Sequence, residues 1–494
     1  MNPWASVDPE GGMTMLRPVT LIAGLLIAGM LMLPAGAGAQ PDKPDAVPTY
    51  TPPANPALAP VKLPPIHEKT LKNGLKVIVV EHHELPVVSL RLQARAGSFY
   101  DPPGKAGLTQ FMTGLLTQGT EKYSATQIAD KIDFVGGSLG AGSSWDASHV
   151  ETTVLAKYLD TAVELMRQVT LHPSFAPEEI ERLRQQTLSG IENSKDQPDV
   201  LADEEFDRRL FGQYPYAQPI GGTEETVAAF TRDDVLAQYR TVFAPGHSTL
   251  AVVGDVSAKE GFRLAEKLLG DWKGASHAAP QAQLPPAPTG YRVYVVNKPD
   301  ATQAQIRLGH LGVDRRSEDY FPLMVMNYIM GGGGFASRMM KTIRAEKGLT
   351  YGISSYFSAR KQTGPFVIDT FTKNESILEA IQGTIDLVKQ YQQEGPTEQE
   401  LAEAKSYMTG SYPLNFETPS QIAGQLLNID LFELGADYIE KYRSRIEAVS
   451  AEDVRRVAQK YLHPEDMVMV VVSKADDIAP NLEILGPVEV VQIQ

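Results

Sequence analysis

The sequence predicts an α+β protein of two tandem, duplicated domains, each a mixed or antiparallel sheet covered by helices. Three observations carry this reading. "FTRDDVLAQYRTVFAPGHSTLAVVGDV" near the end of the first half and "VSAEDVRRVAQKYLHPEDMVMVVVSKA" near the end of the second follow one plan: a capped amphipathic helix, a Pro-marked turn, then an apolar strand. Val235 matches Val454, Pro245 matches Pro464 and Val252 matches Val471, each at an offset of 219 (454 − 235, 464 − 245, 471 − 252). "APEEIERLRQQ" matches "PTEQELAEAKS" at nearly the same offset, Ile180 to Leu401 (401 − 180 = 221). A constant offset across separate motifs marks an internal duplication, and a period this long means tandem domains rather than a solenoid. Within each half, short strand-like runs alternate with helical patterns, as in helices packed on a largely antiparallel or mixed sheet.

In chain order, "MLRPVTLIAGLLIAGMLMLPAGAGAQ" comes first. Arg17 precedes an apolar run from Val19 to Leu33, and Ala37-Gly38-Ala39 fits the small-x-small cleavage rule. Residues 1–39 therefore read as a signal peptide, with an exported mature chain starting at Gln40. The run is shorter than the roughly 20 residues that span a bilayer; an uncleaved anchor is the other reading. "MNPWASVDPEGG" carries acidic residues foreign to a signal n-region, which leaves Met13 and Met15 as alternative starts to Met1. Residues 40–65 form a Pro/Ala-rich leader, extended and semi-rigid. The first domain then covers 66–272, a second Pro/Ala-rich stretch links at 273–290, and the second domain covers 291–494. "LKVIVVEH", "VVSLRLQARAG" and "ETTVLAK" read as strands by their β-branched content, and "LDTAVELMRQVTL" as a helix by its apolar spacing.

Composition excludes several functions. The 494 residues are 43% hydrophobic and 21% charged, ordinary for a chain with real cores, and the formal net charge is −15. No Lys/Arg run or basic stripe is present, so nucleic acid is not an expected partner. Cysteine is absent, which removes disulfides, thiolate zinc sites and cysteine nucleophiles together.

Two stretches carry the functional reading. In "GLTQFMTGLLTQGT", Leu108, Phe111, Met112, Leu115 and Leu116 fall at i, i+3, i+4, i+7 and i+8, a core-facing helical stripe, with Gln110, Thr113, Gly114 and Thr117 on the other face. Read alone, this is a plain amphipathic helix. In "MGGGGFASRMMKTIRAEKGLTYGISSYF", Gly331, Gly332, Gly333 and Gly334 read as a flexible connection ahead of a helix. No Gly-Lys-Ser/Thr follows, so this is no phosphate loop. Arg344 stands late in the helix and Tyr351 early in the strand "LTYGISSYF". Read alone, they are a surface cation and a half-buried aromatic.

"GSFYDPPGKAGLTQFMTGLLTQGTEKYS", "NGLKVIVVEHHELPVVSL", "YPYAQPIGGTEETV" and the duplicated halves together resemble the M16 metallopeptidases, the pitrilysin, insulin-degrading and mitochondrial-processing family. The resemblance implies the LuxS/MPP-like metallohydrolase fold in both domains. In that family a Gly-Leu-x-His-x-x-Glu-His segment fills the same frame: two imidazoles one turn apart hold zinc, and the Glu beside them is the general base. Carried onto this chain, those positions are Gln110, Thr113 and Gly114, and the third ligand, about 76 residues on, falls at Gly190 (114 + 76 = 190). Neutral Gln and Thr are poor zinc donors and Gly offers none, so no catalytic zinc is expected in this chain. His82, His83 and Glu84 are no substitute, because consecutive strand residues face opposite ways; Glu192 is two positions off register.

The resemblance also implies that the glycine run contacts substrate peptide. The Leu-x-Arg…Gly-Leu-x-Tyr frame places Arg344 and Tyr351 where the family's Arg/Tyr pair reaches the zinc site from the other half. Guanidinium and phenol donors suit the scissile carbonyl and its oxyanion. The expectation is a non-catalytic subunit of a heterodimeric periplasmic zinc peptidase, paired with an HxxEH-bearing M16 subunit that brings the zinc. A structural or peptide-binding protein that has lost catalysis is the competing expectation, and an independently active peptidase of unusual chemistry a third.

Overall fold

The structure, a computed structural model, describes residues 61–493. The signal segment and most of the leader lie outside the described residues. What is described contains two six-stranded mixed sheets. The first is built from β1 (Ile66–Thr70), β2 (Lys76–Glu81), β3 (Val87–Ala94), β4 (Ser138–Ser143), β5 (Ser148–Leu155) and β6 (Ser248–Gly254), in the order β1-β2-β6-β3-β5-β4. The second uses β7 (Arg292–Asn297), β8 (Ala304–Leu311), β9 (Ile353–Phe357), β10 (Pro365–Thr372), β11 (Val468–Ser473) and β12 (Val488–Gln492), in the order β12-β7-β11-β8-β10-β9. Strands two to six of the first sheet map one by one onto β7 to β11. The sheets differ at one edge, where β1 runs antiparallel to β2 but β12 runs parallel to β7.

The helices that build the interface and the site are α1 (Leu108–Leu115), α2 (Pro177–Ser194), α3 (Pro198–Phe211), α4 (Arg232–Val242), α5 (Tyr320–Asn327), α6 (Glu398–Ser411), α7 (Pro419–Leu431) and α8 (Ala451–Tyr461). The offset read in the sequence reappears in their limits: α4 and α8 start 219 apart (451 − 232) and α3 and α7 start 221 apart (419 − 198). Both α4 and α8 open on a capping box, Thr231 with Asp234 and Ser450 with Asp453, which satisfies the orphan donors of the first turn. Residues 273–289 carry no regular secondary structure.

The halves do not stand side by side as independent cores. Helix α3 leaves the first half to pack on β8 and β11, and its repeat α7 packs on β3 and β6. Each half thus covers one face of the other's sheet, about a pseudo-twofold relation. Apolar contacts follow the exchange, with Ile78, Val80, Ala251 and Val253 joining the core of the second half, and Val296, Val367, Val468, Val470 and Val472 packing on Phe206 and Phe211 of α3. Polar contacts pin the register. Asp430 of α7 accepts from Lys76 Nζ at 3.0 Å and Thr249 Oγ1 at 2.7 Å, while Arg307 of β8 meets Asp203 of α3 at 2.5 Å. Burial raises Asp207 to about 6, although the guanidinium of Arg360, stacked on Trp145 and Tyr216, faces it.

Candidate functional site

Helix α1 starts where it does because Gly107 is left-handed (φ 87°) and a Cβ there would lie 2.5 Å from Gly222 Cα, so only glycine fits. Asp101 then caps the helix. Its carboxylate accepts from the N–H groups of Gly107 at 2.9 Å and Thr109 at 2.8 Å, and from Thr109 Oγ1 at 2.5 Å. Burial pushes the Asp101 carboxyl up to about 7 against those bonds. Leu108, Phe111, Met112, Leu115 and Leu116 are all buried.

The other face of α1 is fully committed to structure. Gln110 Oε1 accepts from Ser143 Oγ at 2.8 Å and Ser143 N at 3.3 Å, tying α1 to the end of edge strand β4. Thr113 is enclosed, and its Oγ1 donates to the Gln110 carbonyl at 3.0 Å. Gly114 lies beneath Leu183 of α2, where a Cβ would come within 3.3 Å of Cδ2. Gly190, further along α2, faces open space. The donor set is one amide oxygen and one hydroxyl, both already bonded, and two glycines; it does not fit zinc. Among the described residues no three His, Asp or Glu converge as a metal site. His82 and His83 lie just beyond β2. His82 is buried, while His83 sits at the surface between Asp255 (2.7 Å) and Glu81 (3.4 Å). Glu192 pairs with Lys195 at 3.1 Å.

In the second half, the glycine run is not the flexible connection its composition predicts. Helix α5 continues into a π-helical turn, Tyr328–Gly332, that packs against β9. A Cβ on Gly331 would lie 2.3 Å from Ser355 Oγ and 2.7 Å from Ser355 N; on Gly332, 2.6 Å from Asn327 Nδ2; on Gly333, 2.6 Å from the Tyr328 carbonyl. Close backbone packing therefore requires glycine at 331 and 333, and at 332 a side chain would displace the Asn327 amide. Only Gly334 faces open space, and it is left-handed (φ 56°). Asn327 locks the turn to the strand, donating to the Ser355 carbonyl at 2.8 Å and accepting from Ser355 Oγ at 2.8 Å.

Gly334 delivers Phe335 to the surface, 73% exposed. A second π-helix, Met340–Glu346, carries Arg344; such turns are rare and concentrate at functional sites. Tyr351 lies in the bend before β9 rather than within a strand, and its side chain is 75% exposed. The structure brings Arg344 and Tyr351 together. Arg344 Nε donates to the Tyr351 carbonyl at 3.1 Å, its guanidinium stands 4.9 Å from the Phe335 ring centre, and both residues line a cavity of about 420 Å³ with Phe371 and Lys373. Among the described residues the contacts of the Arg344 guanidinium are these two, and neither is with a carboxylate. Its terminal nitrogens make no hydrogen bond among the described residues.

Arg338, Glu400, Phe335 and Asp101 are positioning residues that pattern reading passed over. Phe335 had a local signal, since it directly follows the glycines. Arg338 had none, because its partner is 62 residues away on α6: it makes a two-pronged bond to Glu400 (both 2.7 Å), donates to the Gly395 carbonyl at 2.9 Å and stacks on Tyr391. This anchors the segment between the glycine turn and Arg344. Burial alone would raise the Glu400 carboxyl, but Arg338 and the Thr397 N–H outweigh it and hold it at about 2, against an ordinary 4.5. A depressed carboxylate stabilises the fold above its unfolded pKa and ceases to as pH falls through the folded one. Wild-type protein should therefore lose on the order of 2 kcal/mol between pH 4.5 and 2 through this pair. Glu400→Gln should flatten that part of a stability–pH curve measured by urea unfolding; an unchanged slope would show that the pair is not coupled to folding.

Two repeated α+β domains of metallopeptidase architecture, with Gln110, Thr113, Gly114 and Gly190 at the positions in question, define a zinc-peptidase homologue. The chain belongs to the M16 peptidase family. The model for Insulinase (Peptidase family M16) matches residues 76–224, and that for the Peptidase M16 inactive domain matches 229–408. Relatives include the uncharacterized zinc protease YmxG of Bacillus subtilis, 25% identical over 84% of this chain and 99% of that protein. Another is the non-peptidase homolog YmxG of Helicobacter pylori, 24% identical over 82% of this chain and 94% of that one. The crystal structure of a peptidase M16 inactive domain from Pseudomonas fluorescens is similar at a TM-score of 0.78 and 29% identity, covering 83% of this chain and 98% of its own. A protease structure from Helicobacter pylori, at 21% identity and a TM-score of 0.77, shares the fold.

Proposed function

We propose that this chain is the non-catalytic subunit of a heterodimeric, periplasmic M16 zinc peptidase. A partner bearing HxxEH brings the zinc and the general base. This chain binds the peptide and presents Arg344 and Tyr351 to the partner's site. The observation that supports this reading is the Arg344–Tyr351 unit: an arginine with no carboxylate partner, fixed through Nε so that its terminal N–H groups stay free, beside an exposed phenol. Other arginines here have their terminal nitrogens occupied, by carboxylates at Arg338 and Arg456 and by a backbone carbonyl at Arg232. Two free donors from a pre-set frame can hydrogen-bond a scissile carbonyl and stabilise the oxyanion that develops on it. Zinc held by the partner would supply the Lewis acid for peptide-bond hydrolysis.

The test is co-purification from the native source followed by reconstitution. The purified chain should hydrolyse no peptide and carry no stoichiometric zinc, and should raise the activity of its HxxEH-bearing partner. If the partner is equally active without it, the alternative of a structural or peptide-binding homologue takes its place.

A further inference from the structure

Against the glycine turn, lined by Asn327, Tyr328 and Gly332, lies a cavity of about 320 Å³. It occupies, in the second half, the place that the emptied zinc cleft holds in the first: α5 repeats α1, β9 repeats β4 and α6 repeats α2. Six tyrosines line it: Tyr320, Tyr328, Tyr356, Tyr407, Tyr412 and Tyr442. They are arranged as walls, Tyr328 stacking on Tyr407 with centroids 5.1 Å apart and Tyr412 on Tyr442 at 3.7 Å. None of the six hydroxyls makes a hydrogen bond among the described residues. No Asp, Glu, Lys, Arg or His lines the cavity, and its remaining polar groups are Asn327, Asn415 and Ser411.

This chemistry selects its ligand. A cavity of this volume without charge excludes an ionised group, for which desolvation would go uncompensated. Paired aromatic walls favour an aromatic ring in offset or edge-on contact, and the free phenol hydroxyls accept or donate at its rim. Tyr407, Tyr356 and nearby Leu414 are 60%, 40% and 56% exposed, and large apolar groups clustered at a cavity mouth mark a binding surface. The glycine turn links the cavity to the site, since Gly332 lines the cavity and Phe335, three residues on, touches Arg344.

We propose that this tyrosine-lined cavity is a side-chain pocket for a neutral aromatic residue of the bound peptide, and so sets which peptides the chain accepts. Its ligand being a peptide rests on the function proposed above, but binding by this chain alone tests the pocket without a partner or any hydrolysis.

The experiment titrates the full chain calorimetrically with capped nine-residue peptides of Gly, Ser, Thr and Ala whose central residue is Trp, Phe, Ala, Lys or Asp. Trp and Phe peptides should bind at least tenfold more tightly than the Ala peptide, and Lys and Asp no better than Ala. Tyr407→Ala, which removes a wall, and Ser411→Trp, which fills the cavity, should each weaken the Trp peptide at least tenfold. Phe134→Ala, an exposed aromatic in the first half, should leave it unchanged. Equal affinity for Trp and Ala, preference for Lys, or no binding of any peptide overturns the proposal. So do pocket variants that leave affinity intact, or that act only by dissociating a dimer, which would assign the surface to a second copy. Thermal melts check that each variant folds. Pocket-dependent binding without stimulation of a partner would sink the proposed subunit role and leave the pocket standing; the reverse result would do the opposite.

Discussion

Arg344→Ala and Tyr351→Phe are each expected to cut the activity that this chain confers on an HxxEH-bearing partner by about 10²-fold, the range found when one donor to a developing oxyanion is removed. The loss should fall on kcat with little change in KM, because donors that strengthen only in the transition state leave ground-state binding alone. Arg344→Lys keeps the charge but not the fork, and it gives up the Nε bond to the Tyr351 carbonyl that aims the side chain; it should recover less than a tenth of the activity. The double variant should lose no more than the product of the single losses. Both side chains are solvent-facing and Arg344 has no carboxylate to strand, so stability should be unchanged. A double variant as active as wild type would sink the assignment.

Why these residues could be named from sequence, and others could not, follows from range. The duplication was legible because it leaves marks at fixed offsets, and the offset of 219 is the spacing of α4 and α8. The positions that the family resemblance assigns to the zinc ligands can be named because the apolar frame around them, Leu108, Met112 and Leu115, is intact and buried. The exchange of α3 and α7 between the sheets was not, since local periodicity says which face of a helix is apolar and nothing of which sheet covers it. The tyrosine cavity draws on residues from Tyr320 to Tyr442, over a hundred residues of chain, with no common period. The glycine run was misjudged for a related reason. Four glycines maximise backbone freedom in isolation, but the space where three Cβ atoms would stand is taken by Ser355 of β9, by the Asn327 amide and by the Tyr328 carbonyl, a set that only the folded turn assembles.

That correction makes a sharp prediction within one run of identical residues. Gly331→Ala must place its Cβ against Ser355 N and Oγ, so the π-turn has to lift off β9 or the strand has to move. Overpacking against backbone falls at the upper end of the usual range, about 3 kcal/mol, read as a lowered urea midpoint. Gly334→Ala meets open space and incurs only the strain of a left-handed residue, roughly 1 kcal/mol. Function should track the same order. A displaced turn moves Phe335, the ring on which the Arg344 guanidinium rests, and a misplacement of about 1 Å can cost on the order of 10²-fold in rate. Gly331→Ala should thus impair both stability and stimulation of the partner, whereas Gly334→Ala should keep most of both. If the two variants were equally mild, the run would be the free linker its composition predicts. If Gly334→Ala alone were severe, the left-handed step before Phe335, rather than contact with β9, would set the geometry of the site.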